Sequence, residues 1–215
     1  MKKTGFVLMV LLSATGSASA QDERMIVDDQ TVDLYNEALY LSESGDYKGA
    51  VTNLLKALER TPDARVIYLA LVTPCFNSNQ TTLLKEQLKK AKAYFPDDDE
   101  FYYYAGMIYQ QENNQSMAIR EFSLAIARGT RRKSHLLPAC HASRGSCYLK
   151  LEQFDRAIAD YTSCLALDGQ AATAHANRGI AYFKTGRPAL ACADWKKAKG
   201  LGVTSVNQYL AKYCK

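Results

Sequence analysis

Past its first twenty residues, this 215-residue chain has no long apolar run. Spanning a bilayer takes about 20 consecutive apolar residues, so no later segment qualifies as a membrane span. Proline and glycine are scarce, five and twelve in all, which excludes a collagen-like, linker-rich or low-complexity polymer. Histidine occurs three times. No H-E-x-x-H, C-x-x-C, G-x-S-x-G or phosphate-cradling glycine loop occurs, and the only close glycine pair, Gly200 and Gly202, sits where a helix should end. Nothing therefore points to catalysis or to a cofactor. The formal charge is +5, or +3 without Lys2 and Lys3. Acidic and basic residues read as intermixed, which is not the footprint of a nucleic-acid binder.

The first twenty residues differ from the rest. Lys2 and Lys3 precede the apolar stretch Phe6 to Leu12, and small residues follow up to Ala18-Ser19-Ala20. A basic start, a short apolar core and an A-x-A ending are the parts of a secretory signal peptide. Residues 1–20 are expected to be cleaved and the mature chain to be exported, to a periplasm or to the medium. Thr15, Gly16, Ser17 and Ser19 interrupt the run too early for a membrane anchor.

The rest of the chain repeats itself. A shift of 34 residues places Pro62 on Pro96, Ala57 on Ala91 and Ala125, and Tyr148 on Tyr182. The stretch His141 to Gly145 (H-A-S-R-G) falls on His175 to Gly179 (H-A-N-R-G). Between the third and fourth copies the shift is 39, which puts a five-residue insertion near residues 129–137. Small residues spaced by twelve and then seven recur in four copies, as in Gly106, Ala118, Ala125 and in Gly179, Ala191, Ala198. Antiparallel helices approach closely only where side chains are small, and a spacing of seven keeps two such residues on one face. Gly, Asn and Pro clusters between the apolar stretches mark the turns. Helices are expected at 32–43, 47–60, 65–75, 81–94, 99–111, 115–128, 136–150, 154–167, 172–184 and 188–199, with a last one at 204–213. Pro74 falls inside the third of these and should distort or shorten it.

The copies "HASRGSCYLKLEQFDRAIADYTSCLALD" and "HANRGIAYFKTGRPALACADWKKAKGLG" resemble the tetratricopeptide-repeat (TPR) family, whose unit is a 34-residue helical pair. The resemblance implies an all-α, right-handed α-solenoid of about five helical hairpins with a C-terminal capping helix. The units fall at about 31–64, 65–98, 99–132, 138–171 and 172–203, after a short segment 21–31 and before a cap at 204–215. It also implies a concave face lined by first-helix side chains, here Tyr35, Leu39, Tyr103, Met107, Gln110, Leu149, Ile180 and Phe183. Such a surface is apolar, and apolar grooves take peptides or amphipathic helices. The Lys/Asn clamp with which related modules hold the acidic tails of cytosolic heat-shock chaperones is absent, since Tyr35 and Leu39 stand in its first places.

The expected function is thus a non-catalytic scaffold or adaptor of the bacterial envelope that binds a protein or peptide partner. A chaperone-like carrier for unfolded or outer-membrane clients is the first alternative. The second is a thiol-redox or metal protein using the cysteines and His135, although no ligand spacing matches a closed metal site. A further candidate surface is the basic insertion, Arg128, Arg131, Arg132 and Lys133, which would face an acidic partner or anionic lipid.

Six cysteines in an exported chain suggest disulfides. Counting back and forward from the turn at Gly200–Gly202 brings Cys192 and Cys214 to similar heights on antiparallel helices. Cys140 with Cys164 is the next candidate pair, although Cys164 stands where other copies have alanine and suits a small buried hydrophobe equally well.

Overall fold

Helix follows helix from Asp29 to Tyr213 in the computed structural model, which describes residues 28–214. The expected signal peptide and residues 21–27 lie outside the described residues. The helices are α1 (Asp29–Glu43), α2 (Tyr47–Arg60), α3 (Arg65–Ala70), α4 (Val72–Asn77), α5 (Thr81–Tyr94) and α6 (Asp99–Gln111). They continue as α7 (Gln115–Arg132), α8 (Leu137–Lys150), α9 (Phe154–Leu167), α10 (Ala172–Lys184) and α11 (Pro188–Gly200). A 3-10 turn, Thr204–Val206, leads into α12 (Asn207–Tyr213). No strand occurs among the described residues. Each pair packs internally and then against the next, α1 on α2, α6 on α7, α7 on α8, α8 on α9 and α9 on α10, in an all-α right-handed solenoid.

Three elements differ from the sequence expectation. The helix expected at 65–75 is broken at Leu71, because Pro74 has no N–H to offer Ala70 and its ring would crowd that carbonyl. The break puts Pro74 in the first turn of α4, where a missing donor is harmless. The Leu71 N–H still donates to the Ile67 carbonyl at 3.1 Å, and the Cys75 N–H to that of Leu71 at 3.0 Å. The insertion is not a loop. Its first four residues extend α7 by a turn to Arg132, which ends at Lys133 in the left-handed conformation (φ 54°) with the Ser134 N–H bonded to the Gly129 carbonyl. Gly129 does not stop the helix because it is buried against Leu137, Ser134 and Asp99, leaving little room for a side chain. Finally, the expected cap at 204–213 is split into the 3-10 turn and the short α12.

One rule runs through all five pairs. The small residue of the first helix faces the residue sixteen positions later in the second. Where the first is glycine the second is a large ring: Gly106 with Phe122, Gly145 with Tyr161, Gly179 with Trp195. In the first two pairs Ala38 and Val72 precede Leu54 and Leu88 by the same interval, all four buried in one cluster. Trp195 is 0% exposed and donates its indole N–H to the Ala176 carbonyl at 3.2 Å.

Each turn within a pair also repeats one device. A single left-handed residue, Gly45, Asn79, Asn113, Glu152 or Gly186, occupies the same register in all five copies. In the last four copies it lets the following N–H reach back to a carbonyl five residues earlier, as in Asn114 to Tyr109 and Gln153 to Tyr148. Glycine and asparagine enter this conformation readily; glutamate does not.

Two stability predictions follow from these contacts. A Cβ at Gly179 would lie 2.5 Å from Trp195 Nε1, whereas one at Gly145 would lie 3.1 Å from the nearest Tyr161 atom. Alanine gains about 1 kcal/mol of helix propensity over glycine at either place. Gly145→Ala should thus be close to neutral, and Gly179→Ala should lose about 1–3 kcal/mol through overpacking. Thermal melts that shift equally for the two variants would count against the seam. At the fourth turn, Glu152→Asn should raise stability by about 0.5–1 kcal/mol by relieving the left-handed glutamate, as read in a denaturant titration.

Candidate interaction site

The first-helix side chains expected to line the groove do not share one environment. Leu39 is 39% exposed, while Tyr35 is half-buried against the core of the first two pairs. Tyr103 is half-buried with its ring 5.9 Å from Phe122 and 5.4 Å from Tyr104, and Met107 packs on the same small cluster as Phe122 and Cys147. Gln110 and Leu149 are half-buried, Leu149 against the α8–α9 core. Ile180 and Phe183 lie against the cap, and the Phe183 ring is 4.3 Å from Tyr213 and 5.8 Å from Trp195. The candidate surface thus has an exposed apolar position at Leu39, partly covered ones at Tyr35, Tyr103 and Met107, and is closed at its C-terminal end by α12.

The basic segment turns inward on its own chain. The Arg128 guanidinium stacks 3.9 Å above the Tyr102 ring and donates to the Pro96 carbonyl at 2.6 Å. Arg131 pairs with Asp97 at 2.9 Å, and Arg132 reaches the Asp97 carbonyl at 3.5 Å. These arginines pin the turn between α5 and α6; only Lys133 stands apart from it at the helix end. His135 is exposed, and no group of His, Cys, Asp or Glu among the described residues could hold a metal ion.

The cysteines separate into two kinds. Cys192 and Cys214 are joined, with their Cα atoms 5.6 Å apart, and fasten α12 to α11. The other candidate pair is not formed: Cys140 and Cys164 are free and buried in different clusters, as are Cys75 and Cys147. Small size and apolar surroundings suit them to the core. Burial pushes all four thiols up, Cys75 and Cys147 to about 11 and Cys140 to about 12. An activated thiolate needs the opposite shift.

A feature absent from the sequence expectation lies inside the array. Four residues before the last small residue of each second helix stands a buried polar side chain: Asn53, Gln87, Glu121, Asp160 and Asp194. In the last two pairs it anchors a repeated network. Arg144 donates two bonds to Asp160, at 2.8 and 2.7 Å, and one to Ser123 of the preceding pair at 2.8 Å; His141 Nδ1 lies 3.0 Å from the same carboxylate. Arg178, Asp194, Thr162 and His175 repeat this arrangement. Lys92 of the preceding pair serves Glu121 in the third pair, at 2.9 Å. His175 also reaches the Gly169 carbonyl at 3.3 Å, where Tyr68 and Tyr102 use their hydroxyls on Pro62 and Pro96. His141 and His175 are thereby placed as structural residues. The H-A-S-R-G and H-A-N-R-G repeats, each with Asp sixteen residues after Arg, held the signal for this network.

Two stretches match family models, residues 34–63 one described as tetratricopeptide repeat and residues 145–186 one described as TPR repeat. No curated protein matches the sequence. Among solved structures the chain is similar to MamA, with 23% identity, a TM-score of 0.70, and coverage of 86% of this chain and 96% of that one. It is also similar to YrrB, described as a TPR protein with an unusual peptide-binding site, with 18% identity, a TM-score of 0.66, and coverage of 91% and 99%. A third likeness is to a chain in the APC/C hetero-tetramer Cut9–Hcn1, with 20% identity, a TM-score of 0.70, and coverage of 87% and 37%. At such identities the likeness is one of fold.

The polar network predicts a pH dependence. Burial pushes the Asp160 carboxyl up, but hydrogen bonds from Arg144 and His141 outweigh it and hold the group below its ordinary value. Its contribution to stability is therefore complete above the unfolded value near 3.9 and is lost as pH falls from there through the folded value. Asp160→Asn should flatten that acid limb. At neutral pH it should cost about 3 kcal/mol by leaving Arg144 without its charge partner. Denaturant titrations of both proteins from neutral pH to pH about 3 check it, and parallel curves would refute the role assigned to Asp160.

Proposed function

We propose, on the premise that this chain is a tetratricopeptide-repeat protein, that it is an exported scaffold of the bacterial envelope that holds a peptide or helix of another polypeptide. The observation that carries the reading is the row of uncharged, apolar first-helix side chains left partly open in the first and third pairs, Tyr35, Leu39, Tyr103 and Met107. A helix that has a core to bury such residues and leaves them accessible presents a binding surface. The peptide-binding site named for YrrB is in keeping with this. Export rests on the signal-peptide pattern of residues 1–20, and the Cys192–Cys214 link suits an oxidising compartment.

A carrier for unfolded clients is the second reading, favoured by the lack of charge at these four positions. The thiol-redox and metal alternative draws no support, because the free thiols are buried with raised values and His135 belongs to no group of three or more His, Cys, Asp or Glu among the described residues that could hold a metal ion. Tyr103 and Met107 also pack on Phe122, so changing them would disturb the fold along with the surface. Exposed positions are better probes. A photo-crosslinking residue placed at Leu39 should capture a polypeptide in the cell, while one at Leu167 or Leu190 of the second helices should not. One or two defined adducts indicate a scaffold, and a broad smear indicates a carrier. Adducts from the second-helix positions alone would remove the groove from consideration. The recovered protein should begin at Gln21.

A further inference from the structure

Charge looks intermixed in the composition but is sorted by end in the array. Residues 28–64, the first pair, carry eight acidic side chains against three basic ones. Residues 169–214, the fifth pair and cap, carry seven basic side chains and one acid, Asp194, which is buried and engaged by Arg178 and His175. On α1, Asp29, Asp33 and Glu37 recur every four residues and so share one helical face. All three are exposed, and none forms an ion pair among the described residues. Asp33 and Glu37 line a shallow cleft between α1 and α2 with Leu34, Lys56, Glu59 and Arg60. At the other end Lys196, Lys197 and Lys199 of α11 are exposed and equally without acidic partners, and Lys212 is exposed on α12.

The cap decides what kind of contact these ends can make. Its inner side is apolar and filled: Tyr209 stacks on Trp195 at 4.9 Å, and Val206 is buried. Its exposed residues are Asn207, Gln208, Ala211, Lys212 and the edge of Tyr213, mostly polar or small where a further stacking pair would be apolar. Apolar continuation of the solenoid is closed off, and opposite charge remains.

We infer that a second copy of this chain docks head to tail, the acidic face of α1 on one copy against the basic α11–α12 end of the other. Asp29, Asp33 and Glu37 stand one turn apart along α1, and Lys196 and Lys199 stand one turn apart on α11 with Lys197 beside them. A contact between unlike surfaces leaves one of each surface free, so it repeats from copy to copy, into an open linear assembly or, where the rotation closes, a ring. Exposed ion pairs are individually weak, and complementary fields act mainly on encounter and orientation. Assembly is therefore salt-sensitive, since screening shortens from about 30 Å at 0.01 M salt to about 8 Å at 0.15 M. The inference goes beyond the groove reading and does not rest on it, because the residues are different ones.

The test is sedimentation velocity of the mature, oxidised protein at about 0.01 M and about 0.3 M salt. Species larger than the monomer are expected at low salt and only monomer at high salt. Asp33→Lys with Glu37→Lys turns the Asp29–Asp33–Glu37 face of α1 net basic, like the other end, and Lys196→Glu with Lys197→Glu cancels the positive charge of Lys196, Lys197, Lys199 and Lys212. Each variant alone should be monomeric at low salt, and an equimolar mixture should associate at least about tenfold more tightly than either alone. Leu39→Ser, which touches only the groove, should assemble as the wild type does. A wild type that stays monomeric at low salt overturns the proposal, including one that instead binds vesicles of anionic lipid. Association that survives both charge reversals, or a mixture that stays monomeric, overturns it as well.

Discussion

Everything in this array depends on how closely two antiparallel helices can approach within a pair. Gly106, Gly145 and Gly179 leave space that Phe122, Tyr161 and Trp195 fill, and a Cβ at Gly106 would come within 2.6 Å of the Phe122 ring. Where the first helix carries a methyl or isopropyl group, the facing residue shrinks to leucine, as with Ala38 and Leu54 or Val72 and Leu88. Volume is thus kept nearly constant across the seam while its distribution changes, which is the kind of exchange that close-packed interiors tolerate. Because every pair meets the same geometric demand, neighbours can stack with little variation, and the surfaces above the seam follow its period.

That dependence explains what could be read in advance. The 34-residue spacing was legible because small residues, large rings and turns each recur with it. The expected bounds of α2, α5, α6, α9 and α10 coincide with those observed. The effect of Pro74 was legible as well, since a ring without an N–H has few places in a helix. The end of α7 was not. Gly129 and the arginines after it look like a loop in sequence, yet the glycine is there for the close approach of Leu137, and Arg128 and Arg131 are held by the turn of the preceding pair. Such a contact spans more than thirty residues and leaves no local pattern.

The surfaces were less legible than the scaffold for the same reason. Positions three before and one or four after the seam residue point a side chain in a direction, but what covers it depends on its neighbours. Leu39 and Ile180 each follow their seam residue by one, and the first is open while the second is packed against the cap. The buried polar layer shows the converse. Asp160 and Asp194 look like ordinary helix acids until Arg144 and Arg178 are seen to join each of them to the pair before. Charge averaged over the whole chain likewise hid its separation between the two ends.

The link between Cys192 and Cys214 has a consequence for how such an array comes apart. Each pair leans only on its neighbours, so a solenoid unravels from its ends. At the C-terminal end, α12 cannot leave without its tether, and its aromatic rings remain near Phe183 and Trp195 even when it lifts. At the other end α1 is held by α2 through packing and exposed polar contacts, with no covalent tie among the described residues. The two ends are therefore held unlike one another, the cap by a covalent tie and α1 by contacts alone, and opening is expected to start at α1.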